Sequence, residues 1–257
     1  MADYCYPLFV KEMGKQTGKV VEISMQEWFA EVWLKMEAAF ITGDRWKIYL
    51  DGLGVTLKVS FLAAVLGMFL GTLIAFMKMS VKRNGKKTIW AYIANIYIDV
   101  IRGTPAVLQL LIMWFIIMAN SQNGVMVAVI SFGINSGAYV AEIVRAGVLA
   151  VDHGQMEAGR SLGLSKGKTM IYIIIPQAVK NVLPPIGNEF IVLLKETAIV
   201  GYVSLTDLTR AANQVASRTY EAFMPLIGAA VIYFVIIKML TILLGKFEGR
   251  LRRSDHR

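Results

Sequence analysis

The side chains that could do chemistry in this chain are ionisable groups set within or beside apolar runs. Lys58, Asp99, Arg102, Glu142, Arg145, Glu189, Lys195, Glu196 and Lys238 all lie there, and a charge in hydrocarbon is tolerated where it faces protein or water. Several have an ordinary structural explanation. Asp99 with Arg102, and Glu142 with Arg145, stand three residues apart and can pair along one helix, while Lys58 and Lys238 can snorkel or pair with a neighbouring helix. The stretch from Leu183 to Thr197 offers more. Pro184 and Pro185 withhold two backbone donors and are expected to bend or restart a helix, leaving carbonyls for a ligand. Asn188 supplies both a donor and an acceptor, and Glu189, Lys195 and Glu196 bring opposite charges near mid-membrane. Two readings stay open. Either Asn188, Glu189 and Glu196 line a path for a polar solute, with Tyr139 and Glu142 as further candidates, or the carboxylates only neutralise nearby cations. Catalytic chemistry has little support: His153, His256 and Cys5 are the only imidazoles and thiol, and no glycine-rich phosphate loop occurs. No catalytic residue, metal site, disulfide or cofactor bound by this chain is expected.

The elements that must hold these groups are membrane helices. Of 257 residues, 56% are hydrophobic and 11% aromatic, with a mean hydropathy of +0.55, more apolar surface than one soluble core of this length buries. Apolar runs at about 53–77, 90–119, 125–150, 181–205 and 222–245 approach the roughly 20 residues that cross a bilayer. The second reaches full length only across Arg102-Gly103-Thr104-Pro105. The formal charge of +9 is distributed as topology rather than as a nucleic-acid surface. Lys78, Lys82, Arg83, Lys86 and Lys87 follow the first span, and Lys246, Arg250, Arg252, Arg253 and Arg257 follow the last. Basic segments stay cytoplasmic. Five spans then predict an all-α membrane protein with its N-terminus outside, its C-terminus inside, and residues 251–257 as a basic cytoplasmic tail.

Residues 1–50 are expected to form an extracytoplasmic tail. Its first twenty residues are polar and patternless, and no cleavable signal peptide is visible. From about 25 to 42, Trp28, Phe29, Val32, Trp33, Met36 and Phe40 recur at helical spacing, with glutamates opposite. This amphipathic helix either lies in the lipid interface or packs on its own bundle. Trp46 and Tyr49 read as aromatic anchors before the first span. Within that span Gly67 and Gly71 have the spacing that lets two membrane helices approach closely.

The loop at 151–180 is long for a connection between spans, and it mixes charged, small and apolar residues. Residues 153–162 have helical spacing, Gly163 interrupts, and Ser165 can cap a second short helix running to Pro176. Two short helices joined by a glycine turn, with a small-residue surface, suit docking into a partner's groove.

The residues of this loop resemble the permeases of binding-protein-dependent ABC importers. The family pattern is Glu-Ala-Ala, three residues, Gly, nine residues, Ile, one residue, Leu-Pro; Glu157, Ala158, Gly159, Gly163, Ile173, Ile175 and Pro176 match it, with Gly159 for the second alanine and Ile175 for the leucine. Ser136-Gly137-Ala138-Tyr139, Ala141-Glu142, Arg145-Ala146-Gly147, Gly154-Gln155, Arg102-Gly103-Thr104-Pro105 with Gln109-Leu110, Pro176-Gln177-Ala178, Leu183-Pro184-Pro185, Gly187-Asn188 and Lys195-Glu196-Thr197 resemble the polar amino acid subgroup. That subgroup often carries Asp where Glu196 stands. The likeness covers about 50–250.

The resemblance implies a type I ABC importer permease over 51–250, with 151–180 as its cytoplasmic coupling loop. A separate ATP-binding subunit, which holds ATP and Mg, would dock at Gly154, Gln155, Glu157, Ala158, Gly159, Arg160, Leu162, Gly163 and Leu164. A second permease chain, identical or related, would complete the path, and an extracytoplasmic amino-acid-binding protein would deliver substrate. The chain would reside in the bacterial inner (cytoplasmic) membrane as a multi-pass protein, moving an amino acid without being an enzyme. An amino acid zwitterion needs an acceptor for its ammonium and a donor for its carboxylate, and the Asn188–Glu196 stretch offers both. Other expectations remain: an ion-gradient-driven transporter, which commonly shows internal repeats that are not evident here, and a non-transporting membrane assembly subunit.

Overall fold

The computed structural model describes residues 25–80 and 86–253. The patternless N-terminal twenty residues with Cys5, the basic residues Lys82 and Arg83, and the end of the basic tail lie outside the described residues. Among the described residues every regular element is a helix: α1 (Met25–Phe40), α2 (Trp46–Lys78), α3 (Ile89–Arg102), α4 (Ala106–Ile112), α5 (Gly124–Leu149), α6 (His153–Ser161), α7 (Lys166–Thr169), α8 (Ile175–Glu196), α9 (Leu208–Thr219) and α10 (Phe223–Arg253). Short 3-10 segments (Thr42–Asp44, Thr197–Val203) and π turns (Met113–Ile117, Met170–Ile174) join some of them.

Three of the expected spans are present as single helices long and apolar enough to cross a bilayer: 42–78, 124–149 and 223–251. The second expected span, 90–119, is broken. α3 and the α4 segment meet at 104° across Gly103-Thr104-Pro105 and count together as at most one crossing. Pro105 has an extended backbone and stands as the N-cap of α4, because a residue before proline avoids the helical region and proline has no N–H to continue the helix. The expected 181–205 run begins earlier: α8 starts at Ile175, and the chain tightens into a 3-10 segment from Thr197. Lys180, Asn181, Asn188, Glu189, Lys195 and Glu196 leave α8 outside the helices that qualify by hydropathy. Among the described residues, length and composition alone therefore identify three crossings, or four with the bent pair.

Two further expectations change. The helix does not restart at Pro184 and Pro185, but runs unbroken to Glu196. Nor does Pro176 end the second short helix, which passes through the π turn directly into α8. Pro176 sits directly after the π turn, as the second residue of α8, where its missing N–H leaves one bond of the continuous helix unmade.

The chain divides into two compact units. The first comprises residues 25–55 and 206–234, around Tyr49, Leu208, Ala212, Val215 and Ala229, with Phe40, Ile48, Leu53, Ile232 and Tyr233 packed on them. Asp207 is buried and caps α9, accepting from the N–H groups of Thr209 at 2.9 Å and Arg210 at 3.1 Å. Burial raises the carboxyl pKa of Asp207, against the pull of those hydrogen bonds.

The second unit, residues 56–205 and 235–253, holds the candidate site. Its helices meet through small residues. A Cβ at Gly67 would lie 2.9 Å from that of Ser136, one at Gly71 2.6 Å from that of Val140, and one at Gly133 2.6 Å from Leu66 Cδ2. The Gly67/Gly71 spacing is thus the seam between α2 and α5. Elsewhere on α2, the Ser60 hydroxyl donates to the Thr56 carbonyl at 2.8 Å and lies 3.3 Å from the hydroxyl of Thr197, which opens the 3-10 segment after α8. Replacing Gly71 with Leu should lower the thermal midpoint of the detergent-purified protein, since overpacking a close helix contact costs about 1–3 kcal/mol. Gly54→Ala, at a position with open space around a Cβ, should leave it unchanged.

Candidate functional site

The loop expected to dock an ATPase folds into a rigid hairpin of short helices. Asp152 caps α6 by accepting from the Gly154 N–H, and Ser165 caps α7 by accepting from the Lys168 N–H at 3.4 Å. Between them Gly163 takes φ +81, a left-handed conformation for which glycine carries no side-chain penalty. The Gly163 N–H then reaches the Arg160 carbonyl at 3.0 Å, and the Leu164 N–H reaches the Gly159 carbonyl at 3.1 Å. These are the paired bonds that close a glycine-terminated helix. The Arg160 guanidinium adds a bond to the Leu164 carbonyl at 3.0 Å.

The hairpin has an inward and an outward side. Inward, Val151, Ile174 and Ala178 form a buried cluster with Val148, Met156, Met170 and Ile173. Gly159 belongs to this side: a Cβ there would lie 2.5 Å from Thr169 Cγ2, so its smallness serves the hairpin's own packing. Outward, Gly154, Gln155, Glu157, Ala158, Arg160, Leu162 and Gly163 are exposed, with Leu164 half-buried. Leu162 is 80% exposed, and Ile171 and Tyr172 are bare as well. Sequence reasoning missed Ile171 and Tyr172, which sit in what read as an ordinary helical run; only the π turn shows that they point away from the cluster. That turn runs into α8 without a break.

The candidate path residues lie on α5 and α8, two helices in close contact: a Cβ at Gly147 would lie 2.2 Å from Val182 Cγ2. The structure does not gather the candidates into one pocket. Asn188 lines a groove of about 780 Å³ between α8 and α10, with Lys180, Asn181, Pro184, Pro185, Thr241 and Glu248. Glu189 lies on a different face of α8, in a largely apolar pocket of about 230 Å³ with Phe61, Met68 and Phe190. There it accepts a hydrogen bond from Ser136 at 3.0 Å. Glu196 is half-buried near the end of α8. Among the described residues no hydrogen bond reaches the side chain of Asn188 or Glu196.

Glu142 is engaged on both oxygens, one by Lys78 and the other by Arg145 at 2.9 Å. The intrahelical Glu142–Arg145 pair is therefore present, with a third charge from α2. The expected Asp99–Arg102 pair is not found among the described residues. Arg102 instead sits over the ring of Tyr139, 5.1 Å from its centroid, a geometry in which the ring face attracts the cation. Its helix ends at the break, where Gln109 takes over the stranded carbonyls. The Gln109 amide donates to Ile101 O at 2.8 Å and Thr104 O at 3.1 Å, and its oxygen accepts from buried Asn135 at 2.9 Å. Nothing in the spacing of Gln109 and Asn135 announces this contact.

Residues 52–253 match the family described as binding-protein-dependent transport system inner membrane component. The chain belongs to this family. Among its relatives, the arginine transport system permease protein ArtQ of Bacillus subtilis is 42% identical over 209 residues, covering 80% of this chain and 93% of the relative. The glutamine transport system permease protein GlnP of Escherichia coli is 34% identical, covering 80% and 93%. A solved structure described as an amino acid ABC transporter with histidines has 47% identity and a TM-score of 0.74, covering 79% of this chain and 94% of its own. The inward-facing MetNI methionine ABC transporter shares the fold with a TM-score of 0.71 at 15% identity, covering 82% of this chain and 99% of that one. The family region includes the hairpin and both path helices, and α1 lies entirely before it.

Gln109 bridges the break between α3 and α4. Gln109→Ala should destabilise the purified protein by about 1–3 kcal/mol, because the buried Asn135 amide loses its acceptor and the half-buried Ile101 carbonyl its donor. Gln109→Glu, which keeps an acceptor for Asn135 but cannot donate, should recover little in thermal unfolding.

Proposed function

We propose that this chain is the membrane permease of an ATP-driven importer of polar amino acids in a bacterial inner membrane, with five crossings, its N-terminus outside and the α6–α7 hairpin in the cytoplasm. In that arrangement α3–α4 together form the second crossing and α8 the fourth, which keeps both basic segments inside. A separate ATP-binding subunit, holding ATP and Mg, docks on the hairpin; a second permease chain completes the path; an extracytoplasmic binding protein delivers the solute. The observation that carries the reading is the hairpin itself. It is pinned on one side by an apolar cluster, presents Leu162 bare on the other, and is continuous with the helix that carries Asn188, Glu189 and Glu196.

Coupling then has a mechanical form. ATP closes the partner ATPase dimer, the docked hairpin moves as a unit, and α8 shifts between two packings against its neighbours, so nucleotide binding biases a two-state element. Gly163 keeps the hairpin's shape, and Glu157 and Ala158 on its open face meet the partner's cleft. Gly163→Val, which strains a left-handed position, and Glu157→Lys should leave the chain in the membrane while reducing ATP-dependent uptake into proteoliposomes at least ten-fold and weakening copurification with the ATPase. Normal uptake by both variants overturns the docking assignment, and uptake without ATP favours an ion-driven transporter.

The solute path runs along α8. Asn188 presents an amide to the groove beside Lys180 and Glu248, and Glu189 and Glu196 supply carboxylates for an ammonium or a cationic side chain. Tyr139 under Arg102 and the paired Glu142 balance charge along α5. The likeness to an arginine permease supports a cationic or polar amino acid. Single replacements Asn188→Ala, Glu189→Ala and Glu196→Ala should raise the substrate concentration for half-maximal uptake or lower its maximal rate, with ATPase docking intact. Wild-type transport by all three removes α8 from the path.

A further inference from the structure

α1 lies outside the family region, and its amphipathic pattern is only partly satisfied by the protein. The last residues of its apolar face are packed. Ala39 is buried, the Phe40 ring lies 5.0 Å from that of Tyr49, and Phe40 fills the space a Cβ on Gly228 would need. The rest of the same face is bare: Trp28 is 52% exposed, Phe29 60% and Trp33 60%, with Met36 beside them. The opposite side carries the charges, Lys35 meeting Glu31 at 2.6 Å with Glu37 exposed, and one apolar residue among them, Leu34, which is 64% exposed.

The connection to the first span leaves α1 little freedom to move away. Gly43 and Asp44 take positive φ, and Arg45 donates back to the Ala38 carbonyl. With the Phe40–Tyr49 contact, these fix the end of α1 against the first turns of a helix that is long and apolar enough to cross a bilayer. Trp46 stands at that junction with Lys47 5.5 Å from its ring centre. A helix held at the mouth of a span, with an aromatic strip on one side and charges on the other, has the composition of an interfacial segment. Acidic residues on its polar face suit neutral headgroups better than an anionic surface.

We propose that α1 lies in the lipid–water interface, with Trp28, Phe29, Trp33 and Met36 immersed at the headgroup–acyl boundary and Glu31, Lys35 and Glu37 toward water. The leaflet is the outer one, an assignment that rests on the topology under Proposed function; the interfacial placement does not. The occupant of the bare face is lipid, not a second copy of the chain and not the binding protein.

The test uses the assembled transporter in phosphatidylcholine proteoliposomes. Trp46→Phe, Trp90→Phe and Trp114→Phe leave Trp28 and Trp33 as the only tryptophans of this chain, and the same assembly with Trp28→Phe and Trp33→Phe added supplies the background of the other subunits. Lipids brominated high on the acyl chain should quench their fluorescence more strongly than lipids brominated near its end, and aqueous iodide should quench several-fold less than for free tryptophan. Full quenching by iodide with none by lipid overturns the proposal, as does stronger quenching by the deep bromines. Protection from both that is lost when the binding protein is removed overturns it in favour of a protein partner. Should the triple variant fold poorly, a nitroxide on Trp33→Cys in a Cys5→Ser background should collide with oxygen and aqueous nickel chelate as an interfacial residue does; collision with the chelate alone has the same overturning force. Reaction with an impermeant reagent in right-side-out or inside-out vesicles reads the leaflet separately, so a topological error and a failure of the interfacial placement are distinguishable.

Discussion

Everything in the second unit depends on how closely its helices approach α5. Lipid tails are as apolar as the helix surfaces, so association must come from packing and from polar contacts rather than from expelling water. The chain meets this constraint with missing side chains. Gly67, Gly71, Gly133 and Gly147 bring α2 and α8 against α5 at distances that a Cβ would not permit. Once the backbones are this close, polar groups on facing helices come within hydrogen-bond reach. Ser136 meets Glu189, Ser60 faces Thr197, and Lys78 closes on Glu142.

That packing also gives the proposed docking hairpin its mechanical meaning. A flexible loop would absorb a push from a partner. This one is capped at both helices, closed by a glycine in a left-handed conformation, pinned on an apolar cluster, and continued without interruption into α8. The two prolines of α8 sit in its middle without breaking it, as the proposed coupling requires. The polar residues of α8, proposed to line the path, are also the reason that the helix is too polar to qualify as a span by hydropathy.

The charged residues near the membrane divide by how they are satisfied. Glu142 has cations on both oxygens, and Arg102 has an aromatic face and lies beside a helix break whose carbonyls Gln109 has taken. Such groups are held in place by the fold. Asn188 and Glu196 receive no hydrogen bond among the described residues, and Glu189 has only the Ser136 hydroxyl. Unspent hydrogen-bonding capacity on α8 is what the proposed path for a polar solute requires.

The sequence by itself determined the membrane class, the family, the position of the helical hairpin and its Gly163 turn, and the close-approach role of Gly67 and Gly71. Each of these is written in local composition or in spacing along one helix. Tertiary structure decided the rest. Pairing across helices turned Arg102 from Asp99 to Tyr139, brought Lys78 to Glu142, and set Gln109 against Asn135. It also separated neighbours: Asn188 and Glu189, adjacent in the chain, face a polar groove and an apolar pocket because successive helical residues are rotated by about 100°. Which of those faces meets a polar wall depends on where α5 and α10 lie, and no pattern within α8 carries that information.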